Sequence, residues 1–234
     1  QALNGAGIFV AEGSELIANN SRVSHNTAET FGGGVHVEDA SIELTNMVFD
    51  GNVARYGGAF SLKNIPPELA PDGSVIDEHP ATPNLFGTQI TFHQNYASIR
   101  GQVGYNQRSE WSIAQFIASE HDADGAQYDT LFYSYQPAFE AFDNVFLWKN
   151  TGPLTGSGYA VDATREAPHY QNTSSTTNPQ DWDFRLGPFS TFIGSLADIE
   201  NSDGTPGNPG AFGGPNAVSS FSDPYMSDAD FDGI

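Results

Sequence analysis

Val23-Ser24-His25-Asn26-Thr27-Ala28, Phe49-Asp50-Gly51-Asn52-Val53-Ala54, Phe92-His93-Gln94-Asn95-Tyr96-Ala97 and, more faintly, Leu147-Trp148-Lys149-Asn150 are four versions of one phrase. Each sets an apolar residue three positions before an Asn. The asparagines stand 26, 43 and 55 positions apart. The first interval reads as one period and the last as about two. A second phrase recurs upstream of three of them, as Gly7-Ile8-Phe9-Val10, Gly34-Val35-His36-Val37 and Gly58-Ala59-Phe60-Ser61, taken in register with one another. The middle interval exceeds one period by 17 residues, and the surplus falls in Asn64 to Pro83, which holds five of the 14 prolines. Proline supplies no ladder N–H, so this stretch reads as a loop extruded between two strands.

The apolar runs within each period are short, alternate in sidedness and are punctuated by Gly or Asn. That pattern predicts strands of roughly three to five residues, whereas a helix needs ten or more residues at a 3.6 spacing. Short strands at a fixed period predict a parallel β-helix whose coils stack one on the next. Stacking explains the asparagines. A solenoid turn imposes left-handed backbone that Asn tolerates, and amides in successive coils bond to one another and to orphan backbone groups. Asn26, Asn52, Asn95 and Asn150 are therefore expected to form a ladder. Gly32 to Gly34 and Gly57-Gly58 are expected at a corner where backbones approach closely.

Composition narrows the function classes. The chain has 234 residues, with 29 acidic against 8 basic side chains and a formal charge of −21, which argues against binding nucleic acid through its phosphates. Hydrophobic residues make up 38% and Phe alone counts 17, too apolar a mixture for a disordered acidic tail. With no Cys, disulfides, thiolate zinc sites and cysteine nucleophiles are excluded. No apolar run approaches the ~20 residues needed to span a bilayer as a helix. Acidity without cysteine fits an extracellular or cell-surface bacterial protein. The patterned start at Gln1 and the Asp-rich end at Ile234 read as a piece of a longer polypeptide.

Gly-Gly-Gly-Val or Gly-Gly-Ala-Phe followed by aromatic-x-x-Asn-x-Ala resembles the repeats of bacterial polymorphic outer-membrane proteins and the right-handed β-helices of the pectate-lyase-like superfamily. Asp183-Phe184-Arg185-Leu186-Gly187-Pro188, Asp203-Gly204-Thr205 and Gly210-Ala211-Phe212-Gly213-Gly214-Pro215 resemble the closing segment of secreted β-helix proteins of the choice-of-anchor Q type. The resemblance implies an all-β chain: right-handed parallel β-helix coils over 1–170 with an insertion at about 64–83, a capping segment over 171–215 and an acidic linker over 216–234. The cap is expected to cover the last coil.

The strongest chemical motif is Asp228-Ala229-Asp230-Phe231-Asp232-Gly233-Ile234. Carboxylates at alternate positions before a Gly present hard oxygens to one centre, as calcium demands, so Asp228, Asp230 and Asp232 are the expected metal ligands. The motif resembles the start of a thrombospondin type-3 or EF-hand-like repeat. Asp198, Glu200 and Asp203, and separately Asp122 and Asp124, form weaker acidic clusters. A polysaccharide lyase needs a base beside a cation-binding carboxylate group. The available players are Arg55, Lys63, Arg100, Arg108, His36 and His93, the two histidines being expected to face outward on one sheet. The chain contains no Asp-Asp pair, Gly-His-Gly or Gly-x-Ser-x-Gly motif. The aromatics between Phe116 and Trp148 are expected to stack in the core or under the loop rather than to form a sugar platform. The function expected is thus a noncatalytic structural or adhesive module whose partners are glycans or other cell-surface proteins, with no nucleic acid and no membrane insertion. The alternatives are a carbohydrate-active enzyme and an accessory subunit of an extracellular assembly.

Overall fold

The computed structural model describes residues 2–66, 68–72, 75–77, 83–121, 130–150, 153–155, 163–173 and 182–217. They form strands and turns, with no helix among them. Each repeat lays down one strand in each of three directions. The first supplies β1 (Ala2–Asn4), β2 (Ile8–Val10) and β3 (Glu15–Ser24), and the second β4 (Ala28–Phe31), β5 (Val35–Glu38) and β6 (Ser41–Asp50). The third runs through β7 (Val53–Tyr56) and β8 (Phe60–Lys63), then the insertion with β9 (Glu68–Leu69) and β10 (Val75–Asp77), then β11 (Asn84–His93). The fourth is β12 (Tyr96–Arg100), β13 (Gly104–Gln107) and β14 (Glu110–Ser119). After it come β15 (Phe132–Tyr135), β16 (Phe139–Trp148) and the short β17 (Ala163–Thr164).

Equivalent strands pair in parallel and in chain order. The sheets run β1-β4-β7-β12, β2-β5-β8-β13-β15 and β3-β6-β11-β14-β16-β17. Four details of the stack itself differ from the sequence expectation. The third repeat is offset by one residue, with Val35 opposite Phe60 and His36 opposite Ser61. The paired glycines at 57–58 concealed this slip, which decides whether Phe60 points in or out. The strands of the six-stranded sheet are also longer than expected. Five of them have ten residues, because two short runs continue across a left-handed residue at the sixth position: Asn20, Asn46, Gln89, Gln115 and Asn144, with φ from 47° to 57°. The insertion carries an antiparallel pair, β9 with β10, between its prolines.

The fourth difference concerns the ladder. Asn26 Nδ2 donates to Asn52 Oδ1 at 3.0 Å, and Asn52 Nδ2 to Asn95 Oδ1 at 3.0 Å. His121 fills the rung missing between Asn95 and Asn150, with its Nδ1 2.9 Å from Asn150 Oδ1 and its Nε2 3.5 Å from Asn95 Nδ2. The left-handed backbone lies one residue before each rung, at His25, Gly51, Gln94, Glu120 and Lys149, rather than at the rung itself. The amides also close backbone groups: Asn52 reaches Val23 O, Asn95 Phe49 O and Asn150 Ala118 O at 2.7 to 2.9 Å. The corner glycines behave as expected. A Cβ on Gly33 would stand 2.5 Å from Gly58 O and from Val53 O, closer than any real contact.

Side chains that alternate inward from all three sheets fill the stack. Phe49, Phe60, Phe92, Trp111, Phe116 and Phe132 are buried and in ring contact, joined by Phe142 at the far end. Each fully buried Phe contributes about 1.5–3 kcal/mol of transfer free energy. The interior turns polar towards that end, where Asn106 and then Ser134 succeed Leu62 in one row and Glu140 succeeds Trp111 in another.

The C-terminal segment contains two antiparallel pairs, β18 (Tyr170–Asn172) with β19 (Asp183–Leu186) and β20 (Leu196–Glu200) with β21 (Pro206–Gly207). Its contacts lie along the outer face of the six-stranded sheet rather than across the end of the stack. Trp182, Phe184 and Ala211 pack on Val48, while Phe192 and Leu196 pack on Ile117 and Phe146. The kinked column holds the glycine-rich stretch by its backbone. Asn46 Nδ2 donates to Ala211 O and Gly213 O, Gly210 N to Gln115 O, and Ala211 N to Thr91 Oγ1, at 2.8 to 3.0 Å. The segment is a strap spanning several repeats.

Candidate recognition surface and buried polar rows

The outer faces of the four- and five-stranded sheets meet at the glycine corner, and both are lined there by rings. In the five-stranded sheet the register sets Phe9, His36, Ser61, Tyr105 and Tyr133 in one outward row. Phe31, Tyr56 and Arg100 stand beside it at the ends of β4, β7 and β12. The rings touch across the corner: Phe31 with His36 at 5.6 Å, Phe31 with Tyr56 at 5.1 Å and Tyr56 with Tyr105 at 5.1 Å between centroids. Tyr105 and Tyr133 stack at 5.8 Å with planes 6° apart. The Arg100 guanidinium lies 4.3 Å over the Tyr133 ring and donates to its hydroxyl at 2.5 Å. Phe9 is 49% exposed and Tyr135, one row over, 42%. Tyr105 is buried among its neighbours, so the surface presents the half-buried rims of Tyr56 and Tyr133, Arg100 and the open rings of Phe9 and Tyr135.

Burial sets the electrostatics. His36 is fully buried, its Nδ1 2.7 Å from Ser61 Oγ, and burial lowers its pKa to about 4 despite the nearby Glu38. It is neutral at pH 7. Glu38 pairs with Lys63 at 3.0 Å and stands 3.8 Å from His36 Nε2. Burial and the neighbouring tyrosines push the Tyr105 hydroxyl up.

A second polar row lies under the strap. Asp50, His93 and Ser119 are adjacent across β6, β11 and β14. His93 Nδ1 is 3.0 Å from Ser119 Oγ, which is 3.1 Å from Tyr170 OH, and Arg22 pairs with Asp50 at 2.6 Å. Trp182 and Phe184 cover His93 edge-on, and burial lowers its pKa to about 3. The row is closed to solvent, so its order of residues resembles a catalytic relay without access for a substrate. A cavity of about 400 Å³ lies within the strap itself, lined by Phe184, Arg185, Ile193, Asp203 and Phe212 among others.

The candidates named from sequence therefore separate. His36 and His93 lie on different sheets and both are buried, because the rows that carry them are covered by neighbouring rings and by the strap. Lys63 and His36 converge on Glu38, a grouping that the one-residue slip had hidden. Arg100 belongs to the ring corner, Arg108 bonds Gln136 at 3.1 Å, and Arg55 is exposed on β7. Asp198, Glu200 and Asp203 are exposed, and no group of three potential metal ligands occurs among the described residues. Asp228, Asp230 and Asp232 lie outside the described residues, as do Asp122 and Asp124. Of the aromatics between Phe116 and Trp148, Phe116, Phe132 and Phe142 pack in the core, Phe146 under the strap, and Tyr133 on the corner. His121 and the strap-binding amides of the kinked column were missed. A 26-residue step from Asn95 and a 26-residue step from Gln89 to Gln115 were the available signals. No family model, curated protein or solved structure matches the chain.

Proposed function

We propose that the protein is a noncatalytic adhesive module, a right-handed parallel β-helix of an extracellular or cell-surface protein, that binds glycan chains along its ring-lined corner. The observation that carries this reading is the half-exposed rims of Tyr56 and Tyr133 beside Arg100, with the open rings of Phe9 and Tyr135, along a two-sheet corner. Tyrosine offers an apolar face and a hydroxyl at low entropic cost, and Arg adds a fork of donors. A charge of −21 repels polyanions over a Debye length, so the favoured chains are neutral. The test is a glycan array at physiological salt, probed with the protein and with Tyr133→Ala and Arg100→Ala. Neutral chains should be retained and lost in both variants. Retention by both variants, or preference for acidic chains, refutes the reading.

The enzyme alternative rests on Lys63 and His36 beside Glu38, where bases meet a carboxylate. A lyase would release unsaturated uronates that absorb in the ultraviolet. We expect none from pectin, alginate or chondroitin; turnover abolished by Lys63→Ala would establish the alternative instead.

A further inference from the structure

The cavity of about 400 Å³ in the strap is lined by strap residues alone, and its volume falls in the range of small-molecule sites, roughly 300–1,000 Å³. Two side-chain amides set its walls. Asn201 Oδ1 accepts the N–H of Asn208 at 3.1 Å and of Gly214 at 3.0 Å, while its Nδ2 donates to Thr205 Oγ1 at 3.0 Å and to Pro206 O at 2.8 Å. Asn208 Oδ1 accepts the N–H of Gly194 at 2.7 Å. These bonds tie the turns around β20 and β21 to the glycine-rich stretch, which the stack holds at Asn46, Thr91 and Gln115. The cavity is therefore preformed, and a ligand loses little affinity to ordering it.

Part of the lining is apolar. Phe184 and Pro209 are buried, Phe212 is half-buried, and Pro206 and Ile193 are exposed. The polar part has bonding capacity left over. Asn208 Nδ2, Asp203 Oδ2 and the side chains of Ser202 and Gln171 line the cavity without a hydrogen bond to any described residue. Thr205 donates to Asp203 Oδ1 from its N–H at 3.0 Å and its hydroxyl at 2.6 Å, which holds that carboxyl below the ordinary value and ionised at pH 7. Arg185 does not offset it, being forked on Asp183 at 2.5 to 3.0 Å.

This combination selects among ligands. An anion is repelled by Asp203 and by the overall charge of −21. An ammonium group suits Asp203 but offers nothing to the spare donor of Asn208. A neutral sugar ring has an apolar face for the Phe and Pro side and hydroxyls that both donate and accept on the other. We propose that the strap cavity binds the end of a neutral sugar chain, with Asp203, Asn208 and Ser202 bonding its hydroxyls against the Phe212 side. The site does not rest on the ring corner, which lies on the other two sheets: a cavity takes the end of a chain, a corner its length.

The test is an NMR titration of the isotope-labelled full chain with the methyl glycosides of glucose, galactose, mannose and N-acetylglucosamine. At least one should shift the amide signals of Gly194, Asn208 and Phe212 with millimolar affinity. Asn208→Asp keeps the acceptor for the Gly194 N–H but replaces the spare donor, and should weaken that glycoside ~tenfold. Ser202→Ala removes a hydroxyl that bonds no described residue and should weaken it about threefold. Tyr133→Ala should leave it unchanged. The proposal is overturned if no glycoside moves the strap signals, if Asn208→Asp and Ser202→Ala bind as the parent does, or if tyramine or glucuronate binds there more tightly than every glycoside. Shifts confined to the ring corner and abolished by Tyr133→Ala would uphold the corner and overturn this site.

Discussion

Replacing Asn52 by Leu removes the centre of the ladder, and the damage follows from the bonds around that one amide. Asn52 is fully buried. Its Oδ1 accepts from the Asn26 backbone and side chain, and its Nδ2 donates to Val23 O at 2.8 Å and to Asn95 Oδ1 at 3.0 Å. Leucine has the right volume but neither donor nor acceptor. The Val23 carbonyl and the Asn26 N–H then stay desolvated without partners, at about 1–3 kcal/mol each. The sum is about 2–6 kcal/mol. In a chain of this size 1 kcal/mol moves the melting temperature by roughly 2–4 °C, so a fall on the order of 10 °C is expected. Asn64→Leu is the matched control. Asn64 makes one part-buried side-chain bond, to Arg108 O at 3.2 Å, worth about 1 kcal/mol. Thermal melts followed by circular dichroism at pH 7 would compare the two. Equal melting temperatures would refute the reasoning that the ladder secures the stack.

Acid should weaken the fold through three histidines. Burial lowers the pKa of His36 to about 4 and of His93 and His121 to about 3, so below the ordinary value of 6.5 the unfolded chain binds protons that the folded chain refuses. Stability is therefore intact above pH 6.5 and falls as pH drops towards 4, by about 1.4 kcal/mol per pH unit for each histidine. Asp50, whose carboxyl burial pushes up, works in the opposite sense. Urea midpoints from pH 7 to 5 should show the loss, and His121→Asn, which restores an ordinary rung, should shallow the slope; an unchanged slope would clear His121 of the effect. At the C-terminus, calcium held by Asp228, Asp230 and Asp232 is proposed from the spacing of those carboxylates. Calorimetric titration should find weak binding, on the order of 10⁻⁴ to 10⁻³ M, that is lost in Asp230→Ala; binding unaffected by that change would remove these residues from the site.

What was legible in the sequence and what was not follow one physical division. The Asn phrases were readable because stacking repeats the same hydrogen bonds at the same positions, and their register matches the pairing of Val23, Phe49 and Phe92. His121 was hidden because a ring nitrogen replaces an amide without resembling it in the alphabet. The slip at Phe60 was hidden because Gly57 and Gly58 are both glycine, and neither marks which of them turns the corner. The strap was beyond local reading. Asn46 meets Ala211 across 165 positions, and nothing near either residue announces the other. The ring corner was not read from the sequence: Tyr133 was expected in the core or under the loop with the other aromatics between Phe116 and Trp148, and the meeting of Tyr105 and Tyr133 with Phe31 and Arg100 depends on the angle between two sheets.

The strap also changes how the molecule should respond to force. A pile of repeats held only by nearest neighbours peels from an end, one layer after another, and a pulling trace records a staircase. Here a single stretch of chain is fastened to layer after layer, at Asn46, Thr91, Gln115 and Phe146. It acts as a tie rod. No layer it fastens can leave until the rod is torn away, so tension applied at the two ends is stored until the rod fails and those layers yield together.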